Sequence, residues 1–523
     1  MHKCGSVQMH ISVCLAMAVS VLLLFLLATV LLLSALYITQ KVVRNRYRAV
    51  ALLKQLPNFR ALPSVPLLGS AHLFLDTTPD GTLRTIVDCH QRYGRNLLLQ
   101  ELGNEFKLLT CDPRVIEQVL QAKTIVKSNF YRFLLPWIGL SSVVVSGPRW
   151  HNRRKVINPG FHYRMLQGFL PTMEAQAAVL VAKLAPHAGG PAIDVYEPLR
   201  CMAMDIICET AMGVRLECQS NPAVPFFKDC EELLDLIYKR IFNPLLTSDL
   251  VYACTRAGRR ANATIRALHQ FTHSVIRERV RQMQAVLPNS QQPAPEESQE
   301  QQQRSTFLDL LLQTRLAGDE LLSDDDIRGE VNTFMFAGHE TITSCLSFTL
   351  YYLSRYPDVQ QRLYEEIETM ARAPELTYGA LMELKYTELV IRETLRLNPS
   401  VPMIGRMAAG DMEIDGVTIP TGTEVMLNIY VMQNDPQYYP DADQFRPERF
   451  LQEPPPYSYL PFSTGVRSCI GQRFAMLEMK TVLVRLLSRF RFVPCGEENA
   501  LQVKANLTLK PYDGAFVKLV DRH

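Results

Sequence analysis

Residues 11–38 carry no charge: ISVCLAMAVSVLLLFLLATVLLLSALYI. As a helix rising 1.5 Å per residue the run measures about 42 Å, against roughly 30 Å for the hydrocarbon core of a bilayer. The apolar region of a cleaved signal peptide is about 7–15 residues long, so this run is too long for one. It also lacks the arginine-rich amphipathic pattern of a mitochondrial presequence. The chain therefore reads as a membrane anchor over 1–40, a basic and proline-rich linker over 41–70, and a body over 71–523. Lys41, Arg44, Arg46, Arg48 and Lys54 follow the run, whereas only Lys3 carries charge before it. The positive-inside rule then gives a single pass with the body in the cytoplasm. No sorting motif names the membrane, and the endoplasmic reticulum is the usual first destination. Two glycosylation sequons, at Asn262 and Asn506, are expected to stay unmodified in that orientation.

The body is long enough for one large domain, and its charge is close to balanced at +3. With no basic run or base-reading motif, nothing points to nucleic acid. The 12 cysteines are scattered singly, with no Cys-x-x-Cys pair and no zinc spacing, as in a reduced, cytosol-facing chain. Pro57, Pro63, Pro66 and Gly69 make the approach to the body a stiff connector. Residues 288–305 are rich in Pro, Gln and Glu and read as a surface loop. Apolar periodicity predicts helices near 164–186, 223–240 and 255–284, and strand signals cluster near 97–110 and 404–426. The fold class is mainly α with a small β region.

One predicted helix follows LLSDDD and runs about 30 residues to Pro357. Ser323 is a candidate N-cap, and Asp324, Asp325 and Asp326 fall in the favourable first turn. Its centre, AGHET, breaks an otherwise apolar pattern: Ala337 and Gly338 remove bulk, and Glu340 and Thr341 set an acid and a hydroxyl beside the gap. Either something bulky approaches the backbone there, or Gly338 serves close helix packing and Thr341 bonds back to its own turn.

The stretch PFSTGVRSCIGQ sets a lone Cys469 before another helical pattern. A thiolate suits haem iron, zinc or copper; zinc needs further Cys or His ligands, and none stands nearby. Gly465 and Gly471 would let the backbone approach a flat macrocycle, the helix N-terminus would stabilise a thiolate, and Arg467 could pair with a propionate. The plain alternative is a buried cysteine in a glycine turn.

FSTGVRSCIG resembles the haem-binding loop of the cytochromes P-450 at Phe462, Gly465, Arg467, Cys469 and Gly471. ETLR is similar to that family's Glu-x-x-Arg motif, at Glu393 and Arg396, and PERF to the loop giving a third member, Arg449. AGHET looks like its oxygen-activation segment, and WHNRR like the segment in which Trp150 and Arg154 meet haem propionates. The likeness covers roughly residues 55–520. A narrower likeness, through PWIGLSSVVVSGPRWHNRRKVINPGFH, DIICETAMG and VPMIGR, is to family four, the branch rich in fatty-acid ω-hydroxylases, and adds Arg406 as a propionate partner.

The resemblance implies a cytochrome P-450 fold behind a transmembrane helix, with 71–523 as a haem-thiolate catalytic domain. It implies haem b ligated by Cys469, proton delivery by Thr341 and Glu340, and structural roles for Glu393, Arg396 and Arg449. The implied reaction inserts one atom of O2 into a lipophilic substrate (a fatty acid, other lipid, hormone or xenobiotic). The implied partners are membrane lipid and an NADPH-dependent reductase, with a b5-type cytochrome as a second electron donor. Substrate contacts are expected from 130–145 and near Phe334. Three departures stand out. Ala337 replaces a glutamate that esterifies haem in many family-four members, so haem is expected to be non-covalent. Ile342 replaces a Thr or Ser, and Gln433-Asn434-Asp435 replaces His-Arg-Asp. A haem-thiolate isomerase or dehydratase, and a non-catalytic haem protein, are the alternatives. The intact Glu340–Thr341 pair speaks against both.

Overall fold

The computed structural model describes residues 2–522 except 66–67, 77, 102–104, 287–305, 318–321, 372–374 and 497–500. The loop expected over 288–305 therefore lies outside the described residues.

The first helix, His2–Gln55, does not end at residue 40. Its apolar residues from Met17 to Ile38 are exposed, with Phe25 at 75%. An apolar surface of this size requires an apolar surrounding. Past Lys41 the helix continues and packs onto the body: Ala49, Leu52 and Leu56 are buried at a helical spacing of three and four residues. Phe59 and Leu62 follow them into the core, and Arg60–Ala61 forms a short parallel strand against Leu97 and Leu98. Much of the stretch read as a linker thus belongs to the folded body.

The helices at Tyr163–Leu184, Pro225–Phe242 and Arg256–Val286 match the periodic segments within a few residues. The central helix, Asp324–Arg355, is closed at its start by a capping box: Asp326 N–H donates to the Ser323 hydroxyl at 3.2 Å, and Ser323 N–H to the Asp326 carboxylate at 3.0 Å. It packs against Tyr196–Ile207, Arg256–Val286 and Lys385–Leu397, and most of its side chains are buried.

The main sheet has six strands in the order Arg60–Ala61, Asn96–Gln100, Phe106–Thr110, Glu424–Asn428, Met403–Ala408, Ile125–Lys127. The last pair is antiparallel and sets Lys127 opposite Arg406. A small hairpin, Val503–Ala505 with Leu509–Pro511, lies against the middle of the central helix.

Candidate active site

The buried surface of the central helix opens at its middle. Ala337 is exposed, and Phe336, Gly338 and Thr341 are partly so, while Val331–Met335 before them and Ile342–Tyr351 after them are buried. Ala337 and Thr341 are four residues apart and share a face, and the Thr341 hydroxyl donates to Ala337 O at 2.8 Å. Gly338 belongs to the packing instead: a Cβ there would stand 2.6 Å from Ile207 Cγ1 of the neighbouring helix. The two small residues therefore do different work, Ala337 bordering open space and Gly338 admitting a helix.

Cys469 lies in the loop ahead of the next helix, with its side chain accessible although protein encloses it closely. Its loop is closed by the Cys469 N–H donating to Phe462 O at 2.9 Å, and Gly465 holds a φ of +70°, which favours glycine. The following helix, Gln472–Arg489, starts immediately after Gly471. Burial by the surrounding protein raises the thiol pKa, while the Gly471 N–H and the Arg154 charge oppose that rise.

Beside this loop four cations gather. Arg467 donates to Ser142 O at 3.3 Å and Ser146 Oγ at 3.0 Å, and its guanidinium lies 4.1 Å over the buried Trp150 ring. Arg154 donates to Ser468 O at 3.2 Å, and Arg406, 4% exposed, to Gly405 O at 3.0 Å. Lys127 completes the group, 4.5 Å over the Tyr131 ring. Among the described residues no carboxylate pairs with any of the four. Burial and mutual repulsion push Arg467 down to about 10, and burial with the Arg406 and Arg467 charges pushes Lys127 well below its ordinary value. Sequence reading missed Lys127. A single lysine carries no motif, and only strand pairing brings it to Arg406.

Glu340 does not share the open face, because consecutive helical residues point about 100° apart. Its carboxylate is buried against Tyr196 Oη at 3.3 Å, Thr508 Oγ1 at 3.4 Å, Lys510 Nζ at 3.5 Å and His339 Nε2 at 3.6 Å. Burial alone would raise its pKa, but Lys510, His339 and Arg200 hold it low.

Glu393 and Arg396, both 0% exposed, form a two-pronged pair at 2.9 Å, and Arg449 Nε donates to Glu393 at 2.9 Å. Arg396 also donates to the carbonyls of Gln433, Ala442 and Gln444, tying the helix to the chain ahead of the cysteine loop. Gln433, one of the noted departures, donates in turn to Leu395 O and accepts from Leu460 N–H, both at 2.8 Å.

Sequence comparison fits this arrangement. The family described as Cytochrome P450 matches residues 60–517. The chain belongs to the cytochrome P450 family. Cytochrome P450 4d2 of Drosophila melanogaster is 39% identical over 96% of this chain and 99% of its own length. Cytochrome P450 4V2 of Homo sapiens is 36% identical over 91% and 93%, and the Mus musculus form 39% over 78% and 79%. This cytochrome P450 is thus most similar to family-four members. It is a haem monooxygenase with cysteine-ligated iron, a redox partner and a lipophilic substrate, and its apolar first helix fits a membrane anchor.

The residues fit a haem. An accessible cysteine provides a soft ligand, an exposed alanine faces open space on the central helix, and four cations lacking carboxylates suit an acidic edge. A cavity of about 390 Å³ is lined by Phe130, Phe133, Leu109, Met403, Met426 and Leu507, with Glu101, Lys107, Arg132 and Glu424 also on its wall. Phe334, expected at the substrate, instead stacks between Phe161 and Phe307, with centroids at 5.4 and 4.1 Å, and belongs to the core. A second hollow, about 760 Å³, opens beside Val466 and is bordered by His151, Arg154, Lys155, His162 and Arg164, with no acid.

Proposed function

We propose that this P450 oxidises a lipid-like substrate held in the cavity of about 390 Å³, with haem carried between Cys469 and the Ala337–Thr341 face of the central helix. The observation that supports this most is the unpaired cation group. Arg154, Arg406 and Arg467, joined by Lys127, bind the propionates, and Trp150 backs Arg467. Phe462, Gly465 and Gly471 shape the Cys469 loop, while Glu393, Arg396 and Arg449 brace the chain before it. With Ala337 on the helix, haem is held without an ester. When bound, it supplies activation of dioxygen at the cysteine-ligated iron.

The protein's own part is placement and proton supply. Phe130, Phe133 and Met426 exclude water from the substrate. The Thr341 hydroxyl, released from Ala337 O, donates a hydrogen bond into the open space and is replenished from the Glu340 side. Electrons come from an NADPH-dependent reductase, or a b5-type cytochrome, docked at the basic hollow around Lys155 and Arg164, where an acidic partner face is complementary. The anchor holds the body on the cytoplasmic side of the endoplasmic reticulum. Asn506 is buried and donates to Asp235 whichever side the body faces, so Asn262, exposed on its helix, is the sequon that reports orientation. Glycosidase-sensitive mass at Asn262 would place the body in the lumen.

The test is a lipid panel screened for ligands that shift the iron spin state of the purified protein, followed by NADPH-driven turnover with reductase. Spin-shifting lipids that yield hydroxylated product support the reading. Cys469→Ser should lose the thiolate spectrum of the reduced carbon-monoxide adduct, and retention of that spectrum overturns the ligand assignment.

A further inference from the structure

One face of the strand Glu424–Asn428 forms part of the wall of the cavity of about 390 Å³. Side chains alternate along a strand, so Glu424, Met426 and Asn428 reach that wall while Val425 and Leu427 enter the core on the other side. Tyr430, just beyond the strand, lines the cavity as well, and its N–H donates to Pro402 O at 2.9 Å. Pro402 belongs to the same wall and stands two residues beyond Ser400, whose hydroxyl donates to Thr341 O at 3.0 Å. The wall is thus two residues of chain away from a contact with the open face of the central helix.

The orientation of the Asn428 amide is fixed by its neighbour. His90 is buried, and burial pushes it down to about 4, so the ring is neutral at ordinary pH. Its Nδ1 faces Gly94 O at 3.1 Å and therefore carries the proton. Nε2 is left as an acceptor, and the group 2.6 Å from it has to be the Asn428 NH2. Asn428 is 2% exposed and stands at the N-cap of Ile429–Gln433, yet it makes no capping bond. Its Oδ1 receives no hydrogen bond among the described residues. The Tyr430 hydroxyl likewise has no partner there, and burial alone acts on it, raising its pKa. A buried carbonyl without a donor is costly, and a ligand that supplies the donor removes that cost.

The charged groups on this wall are already engaged. Lys107 Nζ lies 2.8 Å from Glu101 and 3.2 Å from Glu424, and Glu105 takes Lys41 at 2.6 Å. Arg132, exposed at the rim, donates to Thr247 O at 2.9 Å. A carboxylate entering here would bring only acceptors to an amide oxygen, and a further negative charge to a wall that already holds Glu101, Glu105 and Glu424. A hydroxyl can give a hydrogen bond to the Asn428 oxygen and take one from the Tyr430 phenol.

We propose that Asn428 and Tyr430 are specificity-determining residues, and that the substrate is a neutral lipid bearing a hydroxyl group, with Asn428 Oδ1 as the acceptor and Tyr430 Oη as the donor that recognise it. The apolar remainder of the lipid lies along Phe130, Phe133, Leu109 and Met426, and fatty-acid anions are disfavoured. The proposal rests on the monooxygenase reading and on this cavity as the substrate site.

Four probes share a dodecyl chain and differ at the head: 1-dodecanol, its methyl ether, dodecane and dodecanoate. Dissociation constants come from spin-state titration of the full-length, haem-loaded protein and, independently of the iron, from equilibrium dialysis. We expect dodecanol to bind about tenfold more tightly than the ether, which offers Asn428 no donor, and dodecanoate to bind more weakly than dodecanol. Tyr430→Phe keeps the ring and should weaken dodecanol and the ether alike by severalfold, leaving dodecane unchanged. Asn428→Ala should weaken dodecanol alone, down to the level of the ether, with the thermal midpoint showing that the variant is folded. Should it not fold, the wild-type series and Tyr430→Phe still decide. An ether that binds as tightly as dodecanol, or dodecanoate that binds more tightly than both, overturns the proposal without touching the monooxygenase reading. Tight dodecanol binding with no NADPH-driven product counts against the monooxygenase reading instead, and if none of the four binds, the proposal falls together with the cavity as the substrate site.

Discussion

Around Arg406 four cations face one another with no carboxylate, whereas around Glu340 each charge meets its opposite: Lys510 against Glu340 and Glu231, and Lys504 against Glu231. Arg406 and Lys510, at the centres of the two groups, are buried, and an unmatched charge is expensive there. A protein does not assemble four such cations for its own stability. The imbalance near Cys469 marks a place completed by an acidic ligand, and the balance near Glu340 marks a network complete within the chain. The two clusters should accordingly respond in opposite ways when one cation is removed.

The largest effect tests that contrast directly. Lys510→Met takes from the buried Glu340 the cation paired with it and leaves the Arg200 charge acting on it, and loss of one partner of a buried pair costs about 3–5 kcal/mol. The denaturation midpoint of the haem-loaded protein should fall accordingly, and Glu340→Gln on top of Lys510→Met should recover part of the loss. Arg406→Leu removes an equally buried cation, but only from neighbours that repel it. Folding stability should change by less than ~1 kcal/mol, while haem should leave about 10–100 times more readily, as expected for losing a charged hydrogen bond of about 1.5–3 kcal/mol. Transfer of haem to excess apomyoglobin measures that rate. Equal destabilisation by the two substitutions would break the contrast.

A third acid, Glu330, sharpens it. It is 0% exposed on the central helix and takes Ser142 N–H at 2.6 Å and the Ser142 hydroxyl at 2.8 Å, with Arg153 at 3.5 Å. The same Ser142 gives its carbonyl to Arg467. Burial raises the Glu330 pKa to about 7 against the partial relief from Arg153 and Ser142. A carboxyl raised above its unfolded value adds stability that is full below that value and is lost as pH rises through the folded one. Between pH 4.5 and 7 the contribution of Glu330 should therefore fall, by about 3 kcal/mol at 1.36 kcal/mol per pKa unit. Chemical denaturation of wild type and Glu330→Gln across that range isolates it: the difference between them should shift against wild type as pH rises, and a flat difference refutes the assignment.

The cysteine loop and the central helix were legible because their signals are local. Ser323 and Asp326 sit three residues apart, as a capping box requires, and the glycine at 465 answers a backbone need of its own loop. The continuation of the first helix was also written locally, in Ala49, Leu52 and Leu56 at helical spacing, but the basic residues that follow the uncharged run drew the boundary at residue 40. Glu340 is expected from the sequence beside the same gap as Thr341, but a 100° step turns it to the buried side, while the four-residue step from Ala337 to Thr341 keeps one face. Lys127 and Lys510 could not be read at all. Lys127 enters its cluster through strand pairing with Arg406, and Lys510 through the packing of its local hairpin on the central helix, and periodicity carries no record of either.

The smallest expected effect is a bond that does not form. If the cation cluster and the Cys469 ligand carry the haem, every attachment is ionic, coordinate or apolar, and acid removes the first two by protonating propionates and thiolate. Ala337, the residue that the central helix presents to open space, has no oxygen with which to make an ester. Acidified organic solvent should extract essentially all the haem, and the mass of the stripped protein should equal that of the bare chain. Ala337→Glu sharpens the point, because it sets a carboxylate on the exposed face one turn before Thr341 and away from the buried side that Glu340 occupies. Partial acid-stable haem after turnover in that variant would place the ring against this face of the helix. Acid-stable haem in the unmodified protein would mean that another carboxylate reaches the ring, and the absence of acids from the cation cluster would then need a different reason.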